Sequence, residues 1–424
     1  MASFLEEIHF PESARLEHQV AVILQEQEQY GWAFREKDAY VLLSQLQTEL
    51  DEISERCRLR HPFISLGEFT PKVNNSTRGY VKECTFTKIS EFNPTSRDHI
   101  SWVMKEFNGW IPNKFTDNGK PSIDEVVLKD IGTEEALDYF RALELTKAIG
   151  MLSKGVNAWL KLVKKGRLHH HCSMATITGR MAHRKPNLAQ VPVEPEFRRL
   201  FSASPGMVMV GADLSGIELR MLAHYLARYD DGRYGDILIN GDIHQENADK
   251  IGISRRLVKT VTYAFLYGAG DMKIGFSYDP QLSETAAKKK GKEIRTAYMD
   301  AIPGLKNLVN AVKEVAQTRQ SIRAIDGRAI PCDGPHKALN YLLQSSAGVI
   351  AKRWMVLAYE NFGPLEARQL AFVHDEIQTE TKPVFVDQLK ANLELSAIKA
   401  GEYYNLRCPI AAESKSGQDW SEVH

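Results

Sequence analysis

Two acidic sites lie far apart in the chain, each beside an apolar run. MVMVGAD delivers Asp213 at the end of a β-like stretch, and AFVHDEIQT carries Asp375 and Glu376 between apolar flanks. A strand that ends in a carboxylate places it at the sheet edge, where ligands commonly bind. A hairpin tip between buried strands exposes a carboxylate at a rigid place. Two such groups converging on one sheet face would hold two Mg²⁺ ions about 3.5–4 Å apart, as phosphoryl transfer requires. A third set is Arg255, Lys259, Tyr263 and Tyr267, which recur every four residues. Each step drifts by about 40° around a helix, so these side chains form one slanting row. Two cations followed by two aromatics suit a nucleoside triphosphate, with phosphates at one end and base and sugar at the other.

Each reading has a plainer alternative. An Asp after a strand commonly caps a helix or turn. Ser215-Gly216-Ile217-Glu218 equally fits a capping box S-x-x-E. The tyrosines of the row could be core residues behind an exposed basic helix start.

The elements that must carry these groups alternate in type. Residues 15–58 read as helical, 60–95 as an extended or looping insertion rich in Pro, Gly, Asn and Ser, and two more helical stretches follow up to about 163. From about 166 short β-like segments appear. SGIELRMLAHYLARY, DIHQENADK, ISRRLVKTVTYAFLYG and KALNYLLQSSAGVIAKRWMVLAYENF read as helices, QLAFVHDEIQTE as strand–turn–strand, and NLRCPIAAESKSG as an edge strand. Helices, mixed sheet, helices and sheet again predict an α+β chain with a helical domain inserted in a sheet domain.

The composition is that of a globular protein, 43% hydrophobic and 25% charged, with 54 basic and 54 acidic residues. Zero net charge does not exclude a nucleic-acid partner, because the distribution matters more than the sum. Basic residues cluster in KLVKKGR (161–167), GRMAHRK (179–185), RRLVK (255–259) and KKKGK (288–292); the last also reads as a solvated helix face. No apolar run reaches about 18 residues and the first residues lack signal-peptide features, so neither a membrane span nor secretion is expected. Five scattered cysteines predict free thiols in a reducing compartment. His169, His170, His171 and Cys172 invite a zinc reading, but adjacent residues of a strand face opposite ways and make a poor common site.

DLSGIELR (213–220), RRLVKTVTYAFLYG (255–268) and VHDEI (373–377) resemble, in order, the polymerase motifs A, B and C of the DNA polymerase I-like enzymes (family A). TGRMAHRKPNLAQVP (178–192), GDIH (241–244) and LNYLLQSSAG (339–348) resemble other blocks of that family. The likeness is greatest to the replicative polymerases of short-tailed phages, whose thumb region FNPTSRDHI (92–100) and GWIPNKFTDNGKPSIDE (109–125) resemble.

The resemblance implies a right-hand polymerase fold, with mostly helical thumb and fingers and an antiparallel-sheet palm. Residues 1–165 would form the thumb and connecting helices, 166–240 the first part of the palm, 241–324 the fingers and 325–424 the rest of the palm. It implies primer extension with dNTPs through two Mg²⁺ ions, with Mn²⁺ as a possible substitute. Asp213 and Asp375 would ligate both metals with the carbonyl of Leu214, and Glu376 would support them. Arg255, Lys259 and His244 would meet the triphosphate, Lys259 also protonating the departing pyrophosphate. Glu218 would act as a steric gate against the ribose 2′-hydroxyl, packed near Tyr263, with Tyr267 by the templating base. Arg180, Gln190, Asn340, Gln344 and His374 would contact the minor groove of the primer–template, whose acceptors are nearly the same for every pair. A tyrosine at position 263 goes with easy dideoxynucleotide incorporation.

Three departures shape further expectations. The likeness begins at the thumb, so no 3′–5′ exonuclease is expected in this chain, although a separate exonuclease or replisome proteins could join it. The stretch 60–92 is shorter than the insertion that recruits thioredoxin in a relative, so that partner is not expected. A monomer in the cytoplasm, the host's if the source is viral, completes the expectation. The competing functions are a single-subunit RNA polymerase, opposed by the bulk of Glu218, and a non-catalytic DNA-binding relative.

Overall fold

The computed structural model describes residues 11–112, 115, 116 and 118–424. The N-terminal ten residues, on which part of the signal-peptide reading rests, lie outside the described residues. So do Asn113, Lys114 and Asp117 of the thumb-like segment. Two compact units divide the chain: Glu36–Lys161, and Met1–Arg35 together with Leu162–His424.

The chain opens with α1 (Glu12–Tyr30) and β1 (Trp32–Phe34). The long helix expected over 15–58 is therefore interrupted. Gly31 takes φ +68°, which an L side chain rarely adopts, and Trp32 and Phe34 then pack against Phe201. In the smaller unit, α2 (Glu36–Arg60) packs on α5 (Glu134–Ile149), and α3 (Arg97–Glu106) and α4 (Glu125–Ile131) lie between them in sequence. The stretch 60–95 contains an antiparallel ribbon of β2 (Phe63–Phe69) and β3 (Phe86–Glu91) with a register break between Ser65 and Glu68.

In the larger unit β4 (Val163–Lys164), β5 (Arg167–Leu168), β1 and β8 (Phe201–Ser202) form a small sheet in the order β4-β5-β1-β8. Between β5 and β8 lies the ribbon β6 (His171–Ser173) and β7 (Ala182–Arg184). The apolar run before Asp213 is β9 (Val208–Leu214). Six helices follow: α6 (Ile217–Asp230), α7 (Arg233–Asn240), α8 (Ile243–Ile251), α9 (Arg255–Leu266), α10 (Asp271–Tyr278) and α11 (Glu284–Ala301). Then come α12 (Leu305–Arg319), the ribbon β10 (Ser321–Arg323) with β11 (Ala329–Pro331), and α13 (Ala338–Tyr359). The chain returns to the sheet through β12 (Arg368–Val373) and β13 (Glu376–Thr381), crosses α14 (Val386–Tyr403), and adds β14 (Ala412–Gly417).

The main sheet is antiparallel in the order β12-β13-β9-β14, so the C-terminal strand is an edge strand, as its sequence predicts. Helix α14 packs on β9 and β14, and α13 packs on α14. Helix α13 is buried on nearly all sides, which fits its even apolar content. The fold is α+β, with the helices α7 to α12 inserted between β9 and β12. No described helix is long and apolar enough to cross a membrane.

Candidate active site

The strand register decides whether the two aspartates meet. Asp213 of β9 lies directly opposite Glu376 of β13, and the Leu214 N–H donates to the Asp375 carbonyl at 3.1 Å. Cα atoms opposite each other in antiparallel strands are about 4.5–5.5 Å apart. Asp213 and Asp375, 162 positions apart in sequence (375 − 213), are therefore neighbours at one end of the sheet. The turn between β12 and β13 consists of His374 and Asp375, and His374 holds φ +59°. A positive φ is uncommon for a residue with a side chain, and it keeps the tip tight.

Glu376 differs from its sequence expectation. It belongs to β13, not to the exposed tip, and is 5% exposed. Its carboxylate accepts from the Trp420 indole at 2.8 Å and shares a 2.9 Å hydrogen bond with His424. Glu376 is thus anchored beneath the pair, and Glu413 of β14 faces Asp213 from the other side.

Crowding of carboxylates shows in their acidity. Burial, then Asp213 and Glu218, push Asp375 up to about 7. Burial, then Glu376, push Asp213 up to about 6, although its side chain reaches solvent; Glu218 and Glu413 add to this and His424 opposes it. Hard oxygen donors forced together with so little compensating charge fit a divalent cation such as Mg²⁺. Among the described residues no group of three or more His, Cys, Asp or Glu forms a ready cage. Mg²⁺ does not need one, since it uses one or two carboxylates with waters and substrate phosphates.

This electrostatics has a thermal consequence. The native pKa values of about 6 and about 7 lie above the ordinary carboxylate value of about 4, so between them the native state holds more protons than the unfolded chain. The stability these groups allow is full below about pH 4 and is lost as pH rises through the native values. A bound cation offsets the loss only where the groups are ionised. Mg²⁺ is therefore expected to raise Tm more at pH 8 than at pH 5.5; a pH-independent Mg²⁺ shift in thermal unfolding would contradict the assignment.

The cationic row stands on α9, whose N-cap Ser254 accepts from the Leu257 N–H. Arg255 and Lys259 are exposed, and Arg255 pairs with Asp242 at 2.7 Å. Asp242 also caps α8 by accepting from the His244 and Gln245 N–H groups, which fixes His244 beside the row. Burial lowers the pKa of His244, and both Arg255 and Lys259 push in the same direction. Further along, the Tyr263 and Tyr267 rings stack at 6.5 Å, and His244 lies 6.3 Å from Tyr263. Burial raises Tyr263, with Glu218 and Asp375 adding to the shift, so this helix faces the carboxylates.

Glu218 does not serve as a helix cap. The N-cap of α6 is Gly216, and no side chain caps the helix. The Glu218 carboxylate instead accepts from Arg180 at 2.7 Å and from the Tyr267 hydroxyl at 3.0 Å. The capping box is not formed. Asn340 is 9% exposed and donates to the Leu266 carbonyl at 2.5 Å, so in this state it supports the end of α9 and is turned away from solvent. His374 and Gln190 are exposed and Gln344 is half-buried; no hydrogen bond joins Gln190 or Gln344 to the carboxylates among the described residues.

The histidine triplet has a different role. His169, His170 and His171 share hydrogen bonds with the Glu28 carbonyl, the Gln27 side chain and the Glu28 carboxylate, all at the end of α1. Sequence reasoning missed Asp242, Trp420 and His424. The D-x-x spacing before α8 was a usable cap signal for Asp242, whereas nothing local marks the C-terminal pair. A cavity of about 1120 Å³, lined by residues that include Tyr30, Tyr359 and Arg368, contains no residue of this site.

An antiparallel sheet carrying two carboxylates at one end, faced by a helix of cations and tyrosines, is the arrangement of the right-hand polymerase fold. The chain belongs to DNA polymerase family A, whose family model matches residues 65–422. It is 33% identical over 395 residues to the DNA-directed DNA polymerase of Enterobacteria phage T3, covering 82% of this chain and 55% of that protein. The same figures hold for the DNA-directed DNA polymerase of Escherichia phage T7. The chain thus spans about half the length of these curated relatives. Among solved structures it is similar to the "POL domain of Pol1 from M. smegmatis complex with DNA primer-template and dNTP", with a TM-score of 0.75, 21% identity, and coverage of 96% of this chain and 70% of that one.

Proposed function

We propose that this chain extends the 3′-hydroxyl of a DNA primer with dNTPs, directed by a template strand, and releases pyrophosphate. The supporting observation is the register that sets Asp213 beside Asp375 with Tyr263 and Glu218 in electrostatic reach. Asp213, Asp375 and the Leu214 carbonyl would hold two Mg²⁺ ions, which when bound supply Lewis-acid activation of the hydroxyl and charge neutralisation at the triphosphate. Arg255 leaves Asp242 to grip phosphate as a fork, and Lys259 adds a point charge and donates a proton to the leaving pyrophosphate. His244 completes the triphosphate grip. Glu218 blocks a 2′-hydroxyl beside Tyr263, and Tyr267 stands by the templating base. Arg180, Gln190, Asn340, Gln344 and His374 line the duplex minor groove, Asn340 after leaving the Leu266 carbonyl. Residues 166–240 and 325–424 serve as palm, 241–324 as fingers and 1–165 as thumb and connecting helices.

Nucleotide choice tests this reading against a single-subunit RNA polymerase. Primed-template extension is expected to favour dNTPs over rNTPs by at least about 100-fold, with Glu218→Ala removing most of that preference. A wild-type preference for rNTPs would reverse the proposal.

A further inference from the structure

The Arg180 guanidinium stands on a turn with an unusual foundation. The Gly179 N–H donates to the Thr176 carbonyl at 3.0 Å, the Thr176 hydroxyl donates to the Arg180 carbonyl at 2.8 Å, and Gly179 holds φ +72°. On one side the turn rests against α13: a Cβ placed on Gly348 would stand 3.7 Å from Arg180 Cγ and 3.9 Å from the carbonyls of Thr178 and Gly179. One helical turn further on, Lys352 lies on the same face and is 2% exposed. A Cβ on Gly179 would stand 3.4 Å from the Arg328 guanidinium and 3.7 Å from Lys352 Nζ, so two cation heads lie directly under the turn.

Both heads share one carboxylate from the N-terminal helix. Lys352 Nζ donates to the two oxygens of Glu17 at 2.6 and 2.7 Å, and Arg328 also pairs with Glu17. Asp326 neutralises Arg328 from the other side at 2.7 Å. Burial pulls Lys352 below the ordinary lysine value, and Glu17 opposes that pull. Removing one member of such a buried group leaves an uncompensated charge, which costs far more than the pair contributes.

We propose that Glu17 is a positioning residue for Arg180: as the counter-ion shared by Lys352 and Arg328 beneath the 178–180 turn, it fixes where the Arg180 guanidinium stands. The inference rests on the polymerase reading for its kinetic consequence alone. Without the Glu17 charge, Lys352 and Arg328 repel each other under Gly179, the turn shifts, and Arg180 loses its hold on Glu218 and on the primer end. Coupling through a shared network makes the effects of the two residues non-additive.

The test is a double-mutant cycle of Glu17→Gln and Arg180→Ala in the full chain, read as kcat and KM for primer extension, with hydrogen exchange of the 176–180 amides in parallel. Glu17→Gln is expected to lower kcat about tenfold or more with little change in the KM for dNTP. It should cause no further loss in the Arg180→Ala background, be rescued by Glu17→Asp, and speed exchange at Gly179 at least tenfold. Equal fold losses in both backgrounds, or unchanged exchange, would overturn the proposal. If Glu17→Gln does not fold, Lys352→Met removes a partner cation instead, and its smaller loss should vanish in Arg180→Ala likewise. A wild type that does not extend primers defeats the polymerase reading, and the exchange arm then decides the positioning role by itself.

Discussion

Asp375→Ala should slow primer extension by about a thousandfold or more while leaving primer–template affinity within a few-fold. Asp375 occupies the two-residue turn between β12 and β13, and its carbonyl accepts from the Leu214 N–H, which fixes the backbone that carries the carboxylate. Glu376, the adjacent acid, is already committed to Trp420 and His424. The loss should fall on the chemical step, since the residues proposed to hold the duplex lie elsewhere, and single-turnover kinetics beside an anisotropy titration separates the two. Folding should not suffer. The substitution removes a half-buried carboxylate that burial, then Asp213 and Glu218, push up to about 7, so the metal-free variant should melt no lower than wild type at pH 8. Retained turnover would remove Asp375 from the site.

A second large effect is expected where no chemistry occurs. Helices α10 and α11 cross so closely that a Cβ on Gly291 would overlap the Asp271 carbonyl, and one on Gly275 would overlap the Ala287 carbonyl. Gly291→Ala would normally favour a helix by about 1 kcal/mol. Here the backbones must separate, which costs more than the roughly 1–3 kcal/mol of ordinary overpacking. The expected result is a Tm lowered by several degrees and loss of the Arg295–Asp271 pair that ties the two helices. Gly348→Ala meets only ordinary contacts, so it serves as the comparison and should be neutral or mildly stabilising. Equal melting of the two variants would show that the α10–α11 crossing is not as tight as described.

The parts of the site that sequence reveals are those set by local pattern. An apolar run ending in Asp213, an acid between two apolar flanks, and cations and tyrosines at four-residue spacing each specify an element and a face. Partners drawn from far along the chain are not legible in this way. The S-x-x-E pattern at Ser215 predicts a cap, and Arg180, 38 positions upstream, prevents it by taking the Glu218 carboxylate. Glu376 reads as an exposed tip residue until Trp420 and His424 are folded over it. Residues 15–58 lose their continuous helix to one glycine, because Trp32 and Phe34 bury against Phe201 and Trp420, residues no local window contains. The insertion at 60–95 hides its ribbon because Phe63, Leu66 and Ile89 remain exposed, which blurs the alternation that marks a strand.

The most direct measurement is extension of a primed DNA template with dNTPs and Mg²⁺, run for wild type beside Asp213→Ala. The proposed sharing of divalent ions by Asp213 and Asp375 predicts Mg²⁺-dependent growth of the primer by the first protein and essentially none by the second. Undiminished growth with Asp213→Ala, or binding of the duplex by wild type with no extension at any Mg²⁺ concentration, would contradict the account.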